Sequence, residues 1–261
     1  MELVSLDGTL VPVAEARIPV TDEGLLRGDG VFEVVRVYAG RPYALGEHLE
    51  RMRGSARNLR LELDAEAFER DARALLDAAD PGDCYLRLVA TRGGRRIALL
   101  EAPHDYPPAL SLGYVEYVPP RVLDGVKSLS YAGNMLASRL ARERGFDEAL
   151  LVTPHGRVLE APTCSFFYAL DADRLYTPPL EDHILDSITR RHVIAVTGAQ
   201  ERGTTQDDLA TVSEAFLAST IREVHPVARI EDRELPEVPG PLTREAAAAV
   251  SERIRAALDA R

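Results

Sequence analysis

Of the 31 basic residues in this chain, 30 are arginines and one is a lysine, Lys127, in the stretch Gly125-Val126-Lys127-Ser128-Leu129-Ser130-Tyr131. Arginine stays protonated at every workable pH, whereas burial or a neighbouring charge can deprotonate a lysine amine and let it attack a carbonyl carbon. Lys127 is therefore a candidate Schiff-base nucleophile. The competing explanation is compositional: an arginine- and alanine-rich chain can keep a single surface lysine by chance.

Other stretches place polar chemistry in apolar surroundings. Glu160 follows Val158 and Leu159 in a returning strand, so its carboxylate either ends the strand in water or pairs with a buried cation. Leu185 to Arg191 opens a helix with Asp186 or Ser187 as N-cap, and the free amides of its first turn, with the Thr189 hydroxyl, could cradle a phosphate. Ser219 and Thr220, where the strand from Phe216 enters a polar turn, could serve the same anion. Arg87 stands in mid-strand beside Tyr85, which suits a wet cavity with a carboxylate ligand as well as it suits an exposed sheet face. Glu33 and Arg36 put charge on both faces of the strand Val31 to Tyr38, and ordinary salt bridges would account for them.

The elements that must position these groups follow from periodicity. Short strands are expected at Thr9 to Val13 and Arg17 to Val20, then Val31 to Tyr38, with amphipathic helices over Glu47 to Leu61 and Ala65 to Ala79. Cys84 to Arg92 alternates as a strand, followed by shorter strands at Ile97 to Glu101 and Leu110 to Val118. A helix from Tyr131 to Gly145 comes next, then a hairpin pairing Glu148 to Thr153 with Val158 to Ala161. A second hairpin joins Ser165 to Leu170 with Leu175 to Thr177 across Asp171 to Arg174. Thr243 is expected to cap a closing helix. Pro119-Pro120 marks a boundary, which divides the chain into a domain over 1–117, a linker over 118–122 and a domain over 123–261.

Composition limits the partners. With 46% hydrophobic and 28% charged residues the chain is that of an ordinary globular protein, and a net charge of -11 disfavours phosphate backbones and anionic membranes. Cys84 and Cys164 sit in apolar runs and read as buried free thiols. The N-terminus has no signal-peptide character and no apolar run approaches a membrane span, so a cytoplasmic enzyme is expected.

Taken together, Arg27-Gly28-Asp29-Gly30-Val31-Phe32-Glu33, His48-Leu49-Glu50-Arg51, the Lys127 stretch, Val158-Leu159-Glu160, Ile184-Leu185-Asp186-Ser187-Ile188-Thr189-Arg190 and Ala218-Ser219-Thr220 resemble the class IV, fold-type IV pyridoxal-phosphate enzymes. These are the branched-chain and D-amino-acid aminotransferases and aminodeoxychorismate lyase. The resemblance implies an α/β (α+β) fold of two domains, a smaller N-terminal and a larger C-terminal one, with pyridoxal 5'-phosphate between them, in a homodimer. It implies that Lys127 carries the cofactor and shuttles a proton, that Glu160 holds a proton on the pyridine nitrogen, and that Arg51, Ile188, Thr189, Ser219 and Thr220 hold the phosphate.

For the substrate, the resemblance implies an amino donor and a 2-oxo acid. Phe32 is like the branched-chain subgroup, whereas the surrounding run from Gly28 to Gly40 is closer to the D-amino-acid pattern. Arg87 matches the strand position where branched-chain enzymes carry an arginine. Glu33-Val34 replaces the lyase's threonine-bearing segment, and the turn from Gly93 to Ile97 lacks the Arg-x-His of the D-amino-acid enzymes, so Arg95 or Arg96 is a weaker carboxylate candidate. An aminotransferase that moves an amino group between an amino acid or amine and a 2-oxo acid is the expectation, with the subgroup open and the branched-chain type favoured. The alternatives are a lyase-type enzyme, a D-amino-acid transaminase and, more remotely, a binding protein on the same scaffold.

Overall fold

The alternation read from Cys84 onward is realised as the central strand of an antiparallel sheet. In a computed structural model, which describes residues 2–171 and 173–260, the chain divides into two units. The first gathers the chain up to His104 together with Gly125–Tyr131, and the second holds Asp105–Asp124 and the chain from Ala132 onward.

The first unit is a six-stranded sheet backed by two helices. Its elements are β1 (Leu3–Leu6), β2 (Thr9–Pro12), α1 (Glu23–Arg27), β3 (Gly30–Tyr38), β4 (Arg41–Pro42), α2 (Leu45–Asn58), α3 (Ala65–Ala79), β5 (Cys84–Thr91) and β6 (Arg96–Glu101). Spatial order is β2-β1-β6-β5-β3-β4. Alternation sends Val31, Val35 and Val37 of β3 and Leu86, Leu88 and Ala90 of β5 to one face, where they pack against Leu49 and Met52 of α2 and Phe68, Ala72 and Leu75 of α3. Asp64 starts α3 by accepting from the Ala67 amide at 2.9 Å. The segment from Arg17 to Val20 forms no strand, because its apolar residues find no sheet partner and Val20 stays 77% exposed.

The second unit contains β7 (Leu110–Glu116), α4 (Ala132–Glu143), β8 (Glu148–Val152), β9 (Ser165–Ala169), β10 (Leu175–Thr177), α5 (Ile188–Thr197), β11 (Gln200–Glu201), β12 (Glu214–Ser219), β13 (Glu223–Ile230), β14 (Arg233–Glu234) and α6 (Pro241–Asp259). These strands form one mixed sheet in the order β11-β10-β9-β12-β13-β7-β8, with β14 on β13. The hairpin between β9 and β10 is as expected, although Ala172 in its turn lies outside the described residues. The N-cap of α6 is Gly240 rather than Thr243. Thr243 is one turn inside, and the buried Glu214 carboxylate accepts from its amide and its hydroxyl, both at 2.9 Å. A carboxylate carried in from another strand thus does the capping expected of a local hydroxyl.

These units differ from the division at 117 and 123 expected from the sequence. β7 pairs in parallel with both β8 and β13, which draws the chain from Asp105 into the second unit. Gly125–Tyr131 returns to the first unit because its backbone pairs with β3. The Phe32 amide donates to the Lys127 carbonyl at 3.1 Å, and the Leu129 amide donates to the Gly30 carbonyl at 2.9 Å. Diproline stops regular structure, but hydrogen-bond partners decide where a unit ends. Among the described residues no helix is long and apolar enough to cross a membrane.

Candidate active site

In the first unit the chemistry gathers at the start of β3. Pairing with Gly30 and Phe32 holds the Lys127 backbone, and its amide also donates to Ser55 Oγ at 3.1 Å. Lys127 Nζ lies 4.3 Å from the centroid of the Phe32 ring and 5.5 Å from that of Tyr131. The two rings meet edge to face at 5.3 Å. In its protonated form an amine over aromatic faces is attracted to their π clouds.

Behind it stands a buried polar cluster. Glu33 is fully buried, and its carboxylate accepts from Arg51 Nε and Nη2 at 2.7 Å each and from His48 Nδ1 at 2.7 Å. His48, Arg51 and Ser55 recur at helical spacing on one side of α2, so a single helix face supplies all three groups. Burial by itself would raise the Glu33 carboxyl, but the Arg51 charge and the hydrogen bonds from Arg51 and His48 overcome it and hold the group at about 2. Burial pushes His48 below its ordinary value despite Glu33, with Arg51 and Lys127 adding to the lowering. A neutral imidazole with its proton on Nδ1 is therefore the donor to Glu33. Arg51 is a phosphate candidate by resemblance, and its guanidinium is oriented by Glu33. Periodicity does not single out His48; its place one turn before Arg51 is the available signal.

Arg87 projects from β5 on the sheet face opposite α2 and α3. Its Nε and Nη2 donate to Glu101 at 2.7 and 2.9 Å, and its Cζ stands 5.5 Å from the Phe32 ring centroid. The guanidinium thus shares a ring with Lys127 and already holds a carboxylate, a pairing that the order of residues does not reveal. Arg95 pairs with Asp7 and Arg96 with Asp71.

In the second unit, the expected returning strand from Val158 to Ala161 is not a regular strand but a segment that hydrogen-bonds to β8 at Leu151, and from it the Glu160 Oε1 accepts from the Leu185 amide at 3.0 Å. Burial, and then the Glu160 charge, push the Tyr117 phenol up. Leu185 leads directly into α5. Ser187 caps that helix, its Oγ accepting from the Arg190 amide at 3.3 Å, and the amides of Ile188 and Thr189 are left as first-turn donors. Ser219 ends β12, where its Oγ accepts from the Arg222 amide at 3.2 Å and so shapes the turn that carries Thr220. Glu148 anchors the same turn, accepting from Arg222 Nη2 at 3.0 Å and from Ser138 Oγ at 2.6 Å.

Taken separately, the first unit offers an amine among aromatic rings and a guanidinium oriented by a buried acid, and the second offers a carboxylate that accepts from a backbone amide, the amides that open α5, and the hydroxyls of Ser219 and Thr220. As chemical types these groups fit a phosphorylated pyridine aldehyde, whose carbonyl calls for the amine, whose ring nitrogen calls for the carboxylate and whose phosphate calls for the guanidinium, amides and hydroxyls.

Comparison with known proteins agrees. The model of the family Amino-transferase class IV matches residues 30–230, and the chain belongs to this family. A D-alanine aminotransferase of Bacillus licheniformis is 30% identical, covering 92% of this chain and 93% of its own. Among solved structures, the branched-chain aminotransferase of Thermoproteus uzoniensis with norvaline has a TM-score of 0.88 at 29% identity, covering 98% of this chain and 95% of that chain. A hypothetical aminotransferase from Mycobacterium tuberculosis in its PLP-bound form has a TM-score of 0.87 at 25% identity, covering 97% of this chain and 99% of that chain. The protein is a transaminase of fold type IV, a family that depends on pyridoxal phosphate.

Proposed function

We propose that this transaminase binds pyridoxal phosphate through Lys127 and moves an amino group between an amino acid with a branched aliphatic side chain and a 2-oxo acid. The observation that carries the proposal is Lys127 itself, the chain's one primary side-chain amine, with Nζ 4.3 Å from the Phe32 ring centroid. Bound pyridoxal phosphate supplies an electron sink for the charge that develops at the substrate Cα. Lys127 Nζ would take the proton from the substrate Cα and return it on the way to product. Glu160, kept in place by the Leu185 amide, holds a proton on the pyridine nitrogen. Arg51, Ile188, Thr189, Ser219 and Thr220 hold the phosphate, with Glu33 and His48 fixing the direction of the Arg51 fork. Phe32 lines the substrate side together with Arg87.

Similarity to the branched-chain enzyme of Thermoproteus uzoniensis and the phenylalanine at position 32 support an aliphatic side chain. Similarity to a D-alanine aminotransferase supports a second reading in which the donor is a D-amino acid. Paired L- and D-amino acids, amines and aminodeoxychorismate, each assayed with the monocarboxylic acceptor pyruvate and separately with 2-oxoglutarate, test both. Turnover of L-leucine, L-isoleucine or L-valine above every D-amino acid supports the first reading, and the reverse order establishes the second. The homodimer implied by the resemblance belongs to the same proposal and is measured by analytical ultracentrifugation.

A further inference from the structure

Three strands put a charged pair beside the amine. The register of β3, β5 and β6 aligns Phe32 with Val89 and Ile97, Val34 with Arg87 and Leu99, and Arg36 with Tyr85 and Glu101. All nine lie on the sheet face opposite α2 and α3. Lys127 Nζ and Arg87 Cζ both approach the Phe32 ring, at 4.3 and 5.5 Å from its centroid. Glu101 reaches diagonally from β6 and engages two nitrogens of Arg87. The side chains of the pair are 30% and 27% exposed, so a small molecule can reach either one.

We infer that Glu101 is a specificity-determining residue, which neutralises Arg87 and turns the pocket away from substrates that carry a second carboxylate. The inference rests on the transaminase reading above and adds a side-chain preference to it. A dicarboxylic 2-oxo acid must share the guanidinium with Glu101 or displace it, so two anions compete for one cation. An aliphatic side chain meets a neutral pair and a phenyl ring, and has no anion to place. Removing the Glu101 charge leaves the Arg87 charge to the substrate.

The test is a ratio measured on the holoenzyme: kcat/KM for 2-oxoglutarate over kcat/KM for 4-methyl-2-oxopentanoate. Glu101→Gln should raise it by about tenfold, the scale of one additional charge-assisted hydrogen bond to the substrate. Glu101→Met removes the same charge without an amide and should raise it likewise, which covers failure of either variant to fold. The double variant Glu101→Gln/Arg87→Gln should lose the rise. A ratio that stays level in both single variants overturns the inference, as does a rise that survives loss of Arg87. An equal rise on both acceptors also overturns it, since the pair would then serve the carboxylate common to all 2-oxo acids. Calorimetric titration with glutarate keeps the inference separable from the transaminase reading. If the parent showed no transamination, tighter glutarate binding in Glu101→Gln, absent in the double variant, would still support Glu101 as the gate, and unchanged binding would refute it.

Discussion

Lys127 and Phe32 are joined twice, by the hydrogen bond from the Phe32 amide to the Lys127 carbonyl at 3.1 Å and by the amine standing 4.3 Å from the ring centroid. One link sets the backbone and the other sets the side chain. The strand that places the ring therefore also places the Lys127 amine.

Borohydride reduction of the holoenzyme should leave the pyridoxyl group on a single peptide containing Lys127. Lys127→Ala should purify without the visible absorbance of bound cofactor and without transamination. Peptide mapping after reduction decides the matter: label confined to the N-terminal amine would remove Lys127 from the mechanism.

Glu160→Gln keeps the shape that accepts from the Leu185 amide but cannot balance a charged pyridine nitrogen. Turnover should fall by roughly a hundredfold or more, the size of effect seen when an electrostatic stabiliser is removed from an active site. Cofactor should be retained in part, as read by absorbance of the purified variant. Near-parental kcat with full cofactor content would show that another group holds that proton.

Acid should weaken the first unit in two stages. His48 has a folded value below the ordinary 6.5, so the unfolded chain takes up its proton first and stability begins to fall as the pH drops below about 6.5. Glu33 is lowered from 4.5 to about 2, so its contribution is complete above about pH 4.5 and is lost as the pH falls toward 2. The second stage amounts to roughly 3 kcal/mol. Urea unfolding across this range should show a shallower low-pH limb in Glu33→Gln, and His48→Gln should lose the stage that starts near 6.5. Parallel limbs in all three proteins would count against the cluster as the origin.

Gly30 sits where two backbones close on β3. A Cβ there would stand 2.3 Å from the Ala90 carbonyl oxygen and 2.6 Å from Leu129 Cδ1. Because backbone on the β5 side cannot swing away, Gly30→Ala should cost roughly 1 to 3 kcal/mol by overpacking. It should also loosen the Leu129 hydrogen bond that positions Lys127, so the melting temperature and cofactor content should fall together. A melting temperature equal to the parent's would mean that the strands separate there at little cost.

Much of the outline is legible from residue order alone. A single lysine among 30 arginines is visible in any composition, and the motifs around Phe32, Arg51, Glu160, Ser187 and Ser219 are local runs, each readable within a few residues. Helices α2 and α3 announce themselves because an apolar stripe at 3.6-residue spacing has one way to be buried. The charge partners are not legible. Glu33 meets His48 across 15 positions and Arg51 across 18, Arg87 meets Glu101 across 14, and Glu214 meets Thr243 across 29. Periodicity alone reads Glu33 as an ordinary salt bridge and Thr243 as a helix cap.

Strand register and helix placement decide these pairings, and they also return Lys127 to the first unit where Pro119-Pro120 suggests a clean boundary. The physical reason is one of range. Propensity and amphipathic pattern act between neighbours along the chain, so a sequence records them directly. A carboxylate finds its cation through space at about 3 Å, and which of many arginines arrives there is settled only when the sheet and the helices have packed.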